Sequence, residues 1–131
     1  MNKNKAVLQN AWPYQQDLLN LPVENLEAAL LFYETVLGFL VVARNDTPYP
    51  SATMSRDAVQ IRLAQNGGDP TQNGCFFDVD DVEKAYDELK ANGLQKEQPE
   101  FGSQTYGTTH WKVFFVVAPD GLCYSFGQRQ N

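Results

Sequence analysis

One histidine, two cysteines and sixteen acidic residues are the groups of this 131-residue chain that could act as bases, nucleophiles or metal ligands. His110 could serve as a pH-sensitive base. However, no Ser or Cys stands at a recognisable nucleophile spacing from it, so catalysis by His110 is not expected. The run Asp78-Val79-Asp80-Asp81 could suggest a cation site, but a strand end followed by a helix N-cap accounts for it. The adjacent glycines of QNGGDPTQNG lack the strand–GxGxxG–helix context of a phosphate cradle and read as a linker. Cys75 and Cys123 are too few for a disulfide framework, and strand alternation sends them to opposite sides of their sheet, so both are expected to be buried thiols.

These groups must be held by some scaffold, and length and composition bound it. The chain fits a single domain, 1–131, with 43% hydrophobic and 12% aromatic residues, as in globular proteins. The longest apolar run, near Val113 to Ala118, is too short to cross a bilayer, and the first residues carry no sustained apolar stretch of a secretion signal. A cytoplasmic protein without a membrane role is therefore expected. Ten basic residues against the sixteen acidic ones give a net charge of -6, which disfavours nucleic acid as a partner. The same negative field attracts cations, although it also simply maintains solubility.

Hydrophobic periodicity divides the chain into two repeating halves. Leu19, Leu21 and Val23 alternate along a strand from Asp17 to Val23, and Asn25 then caps a helix whose apolar positions run from Leu26 to Leu37 before Gly38. Cys75, Phe77 and Val79 alternate in the same way, followed by Asp81 as cap, the stripe Val82, Ala85, Tyr86, Leu89, and Gly93. Strands are expected at Phe39–Arg44, Ser51–Met54 and Val59–Ala64. In the second half they are expected weakly near Gln95–Glu100, strongly at Lys112–Val117, and again at Leu122–Phe126. The segment FGSQTYGTTHW reads as a loop. The predicted architecture is α+β: two βαβββ modules, about residues 15–66 and 74–128, form a cleft between curved mixed sheets, each with a helix packed outside.

LPVENLE with Phe32-Tyr33 and Leu37-Gly38-Phe39, the repeat VDDVEKAYDELKANG, and the closing WKVFFVVAPDGLCYSF together resemble the vicinal oxygen chelate superfamily of glyoxalases, bleomycin resistance proteins and dioxygenases. The resemblance implies that metal-bearing members take ligands from four strand positions, which here hold Leu18, Arg62, Gly74 and Ser125. That is no ligand set for a divalent ion, so neither a metal nor another cofactor is expected. A one-residue slip would bring Asp17 to the first position, near Asp78, at the cost of turning the apolar strand face into the cleft.

With Leu19, Leu21 and Val23 facing the helix, Leu18, Asn20, Gln60, Arg62, Phe76, Asp78, Cys123 and Ser125 should line the open side of the sheets. Arg62 either pairs with Asp78 or another carboxylate across the cleft or anchors the carboxylate or phenolate of a ligand. Trp111, with His110 beside it, either contacts ligand or closes one end of the module. Tyr49 and Met54 are lining or core. The expected ligand-binding set is therefore Leu18, Asn20, Gln60, Arg62, Phe76, Asp78, His110, Trp111 and Ser125. The resemblance points to a binding protein of the bleomycin-resistance type that sequesters a cationic or planar small molecule, as in antibiotic resistance, rather than to an enzyme. The alternative is a glyoxalase-type lyase or a dioxygenase-like enzyme. Members of the family commonly pair, so a homodimer is expected, with the leader Lys3 to Tyr14 available for exchange between chains.

Overall fold

Two short helices fix the positions of everything else, and each starts where a side chain can replace a missing backbone acceptor. In the computed structural model, which describes residues 5–13, 18–71, 73–94, 101–119 and 121–130, α1 spans Leu26–Thr35 and α2 spans Val82–Ala91. Asn25 accepts from the Ala28 amide at 3.1 Å, and Asp81 accepts from Glu83 and Lys84. Beyond the helices, Gly38 and Gly93 adopt φ of +77° and +111°, a left-handed region that glycine enters without steric cost.

Nine strands accompany them among the described residues: β1 Leu8–Pro13, β2 Leu21–Pro22, β3 Leu40–Asn45, β4 Ser51–Arg56, β5 Val59–Ala64, β6 Asn73–Val79, β7 Gly102–Tyr106, β8 Thr109–Val117 and β9 Cys123–Arg129. They form two open mixed sheets, one of five strands ordered β1-β6-β9-β8-β7 and one of four ordered β2-β5-β4-β3. The parallel pairs β2·β5 and β6·β9 are equivalent in the two halves, which is the α+β module repeat expected from the sequence. Helix α1 lies on the four-stranded sheet, where Gln65 of the segment after β5 accepts from the Leu26 amide. Helix α2 lies on the five-stranded one, where Gln128 of β9 accepts from the Val82 amide.

The two halves share one core through their helix-bearing faces. Tyr33 of α1 meets Tyr124 of β9 ring edge to face, and the two hydroxyls hydrogen bond. Phe39 packs on Phe77, and the Asn92 side chain after α2 donates to the Val36 carbonyl after α1. Arg56, pointing inward from β4, donates to Glu88 of α2 at 2.7 Å, to the Ala6 carbonyl at 2.8 Å and to the Leu37 carbonyl at 2.6 Å. A charge buried this deeply is tolerated because these three acceptors, and Asp57 Oδ2 at 3.4 Å from Nε, surround the guanidinium. Among the described residues, the opposite faces of both sheets carry no helix.

Several expectations require correction. The first strand is shorter than read: its ladder spans only Leu21–Pro22, with backbone hydrogen bonds at Leu18 and Val23 flanking it, and Leu19 is exposed rather than facing the helix, while Asp17 lies outside the described residues. Pro22 lacks the amide that would extend the ladder. FGSQTYGTTHW is not a loop but the β7–β8 hairpin, turning at Gly107 with φ +62°. Its Thr and Tyr residues favour strand, but the scarcity of aliphatic residues hid the alternation. The weak strand expected at 95–100 lies outside the described residues. The leader, in contrast, contains an additional strand, β1, antiparallel to β6. Met54 is fully buried core.

Candidate functional site

Strand register decides which side chains share the bare face of the five-stranded sheet. On β8 the period of two puts Trp111, Val113, Phe115 and Val117 on that face, and His110, Lys112, Phe114 and Val116 on the side of α2, where Lys112 pairs with Glu83 at 2.6 Å. Cross-strand partners extend the face to Arg129, Gly127, Ser125 and Cys123 on β9 and to Gly102, Gln104 and Tyr106 on β7. Phe76 and Asp78 of β6 lie beside Ser125 and Gly127, and Trp12 and Asn10 of β1 lie beside Phe76 and Asp78.

Aromatic rings converge at the centre of this face. Trp12 stacks on Phe76 with centroids 4.8 Å apart and planes 5° from parallel. Trp111 meets Phe76 at 5.1 Å and Trp12 at 5.6 Å, both edge to face, and Tyr106 meets Phe76 at 5.8 Å. Gly127 makes room for this cluster, since a Cβ there would collide with the Phe76 ring and lie 3.0 Å from Val113 Cγ1. Gly127 is thus required by a close approach rather than by a turn. Farther along the face Phe115 and Val117 are 40% and 62% exposed, so the apolar surface continues to the end of the sheet.

Two charges border the rings. Burial pushes the Asp78 carboxyl above the ordinary aspartate range, and the positive charge of Arg129 opposes that shift. Asp78 therefore senses Arg129 of its own sheet rather than Arg62, whose Nη2 donates to Ser51 Oγ at 2.8 Å on the four-stranded sheet. The expected Arg62–Asp78 pair gives way to these partners because the two residues belong to different sheets.

The sequence-predicted residues thus fall into two groups. Phe76, Asp78, Trp111 and Ser125 share the bare face of the five-stranded sheet. Gln60 and Arg62 lie opposite Ser55 and Thr53 on the four-stranded one, with Leu18, whose carbonyl accepts from the Arg62 amide, and Asn20, which accepts from Asn66, at its edge. His110 is on the helix side of β8, exposed, with Nδ1 2.9 Å from Thr105 Oγ1. Cys75 is in the core, where burial pushes its thiol up, and Cys123 is half-buried on the open face; neither forms a disulfide. Trp12 and Arg129 were not anticipated; Trp12 lies in the leader, which was not read as a strand.

The four positions that would bear a metal do not fit one. Arg62 is a cation bonded to Ser51, a Cβ on Gly74 would already lie 2.6 Å from the Tyr124 ring, and Leu18 offers no ligand atom. Among the described residues, no group of three or more His, Cys, Asp or Glu side chains is placed to hold an ion. Among cavities lined by described residues, one of about 330 Å³ lies between the start of α1 and Pro119, and another of about 400 Å³ between α1 and β3. Neither gathers any of the predicted residues. No helix among the described residues is long and apolar enough to cross a membrane.

Comparison with known proteins places this geometry. The chain is 29% identical over 124 residues to a lactoylglutathione lyase of Neisseria meningitidis, covering 85% of this chain and 88% of that protein. Its fold is similar to that of a bleomycin resistance determinant encoded on the transposon Tn5, with TM-score 0.63, 21% identity, and coverage of 90% of this chain and 100% of the other. It is also similar to TnmS3, an antibiotic binding protein from Streptomyces sp. CB03234, with TM-score 0.62, 18% identity, and coverage of 89% and 98%. The profile of the Glyoxalase/Bleomycin resistance protein/Dioxygenase superfamily matches residues 15–122, and the chain belongs to that superfamily.

Proposed function

We propose that this chain binds and sequesters a small, flat or cationic molecule on the bare face of its five-stranded sheet, without a metal. The observation that carries this reading is the cluster of Trp12, Phe76, Trp111 and Tyr106 around Gly127, bordered by Asp78. Aromatic faces with one or two placed polar groups suit flat and cationic ligands. Two fold relatives whose names state drug resistance or antibiotic binding support an antibiotic as one such ligand. The lyase relative supports the competing enzyme reading, which the poor metal fit of Leu18, Arg62, Gly74 and Ser125 disfavours.

In this reading the chain acts as one domain in the cytoplasm, consistent with two cysteines that form no disulfide. It works as a homodimer in which the bare face of the four-stranded sheet, with Gln60, Arg62, Leu18 and Asn20, completes the partner's site. Exposed Leu40 and Val42 on one sheet and Phe115 and Val117 on the other supply apolar surface for that pairing. Titration with proflavine, a flat cation, followed by tryptophan fluorescence in chelator-treated protein tests the binding reading. Saturable quenching lost in Phe76→Ala is expected; no binding in chelator-treated protein would defeat it.

A further inference from the structure

Trp111 is 7% exposed, and its Nε1 is buried with no hydrogen-bond partner. Buried indole N–H groups ordinarily find an acceptor, because leaving the donor unpaired forfeits the hydrogen bonds water would have given it. The rings of Phe76 and Trp12, at 73° and 68° to the indole plane, offer only aromatic faces, which are weaker acceptors than a carbonyl oxygen. Above Phe76 lies Trp12, half-buried and carried by the edge strand β1, in the parallel stack a flat ligand would adopt. Trp12 stands on the edge strand, whereas Phe76 and Trp111 are on inner strands.

We infer that among uncharged flat aromatic molecules the site selects those bearing a carbonyl-type acceptor on the ring edge, which take the place of Trp12 against Phe76 and accept the Trp111 Nε1 hydrogen bond. This rests on the reading of the bare face as the ligand site and adds its selectivity. A site with a buried donor rejects an analogue lacking the acceptor far more strongly than an apolar pocket rejects a change in size. Ligands of the same ring skeleton are therefore sorted by the carbonyl rather than by shape.

The test compares 9-fluorenone with fluorene, which share a three-ring skeleton and differ by one carbonyl, in equilibrium dialysis against the wild type, Trp111→Phe and Phe76→Ala. The expected preference for fluorenone over fluorene falls about tenfold or more in Trp111→Phe, as loss of one buried hydrogen bond implies. An unchanged preference in that variant overturns the inference. In the wild type, one of the two indole N–H resonances should move downfield with fluorenone and not with fluorene; equal responses to both compounds also overturn it. If both compounds bind alike and Phe76→Ala abolishes both, the selectivity fails and the site stands. If neither binds the wild type, the site fails with it.

Discussion

Asp78 is the residue at which charge and burial meet beside the proposed ligand site. Its carboxyl is raised above the usual range chiefly by burial, so the folded chain takes up its proton at a higher pH than the unfolded chain does. Stability therefore rises as pH falls through the folded value and levels off below the unfolded one. Proflavine, cationic throughout, needs the charged carboxylate, so its affinity should decline over the same descent. Asp78→Asn should flatten both trends; calorimetric titration across pH 4 to 7, a range set by the ordinary carboxylate value of about 3.9, checks this. At Gly127 the constraint is steric. Gly127→Val should cost about 1–3 kcal/mol in urea denaturation, because its side chain meets Phe76 and Val113 in a packed cluster.

At the level of elements, the buried Arg56–Glu88 pair joins β4, α2 and the leader. Its side chains are 4% and 3% exposed, and Glu88 Oε1 also accepts from the Ala6 amide at 3.1 Å. Removing one partner strands the other charge, so Arg56→Ala should lower stability by about 3–5 kcal/mol. Breaking the exposed Arg44–Glu27 pair should leave the melting temperature nearly unchanged. Asn25→Ala and Asp81→Ala should each cost about 1 kcal/mol by uncovering helix amides. Both caps were legible from sequence, since cap chemistry and the helical stripe are local. Arg56–Glu88 was not legible, because nothing local marks two charged residues 32 apart as partners. The β7–β8 hairpin was missed for a related reason: Gly102, Ser103, Gln104 and Thr105 are polar, and their pairing with β8 rather than their hydrophobicity makes them a strand.

For the whole molecule, the repeat decided the architecture, and the alternation of Cys75, Phe77 and Val79 placed Phe76 and Asp78 on the open face correctly. The sequence could not show that α1 and α2 meet in one core, which leaves the predicted residues of the two halves on separate bare faces. Nor could it show that the leader adds a strand that delivers Trp12 to Phe76. If two chains complete each other's sites, sedimentation equilibrium should give twice the 14.7 kDa chain mass, and charge placed at Leu40 and Phe115 should halve it. The most direct test of metal-free sequestration measures proflavine binding and lactoylglutathione turnover on the same protein, after chelation and after restoring zinc, nickel, manganese or iron(II). Saturable binding in chelated protein, lost in Phe76→Ala and without turnover under any metal, is the predicted result; turnover that appears only when metal is restored would contradict it.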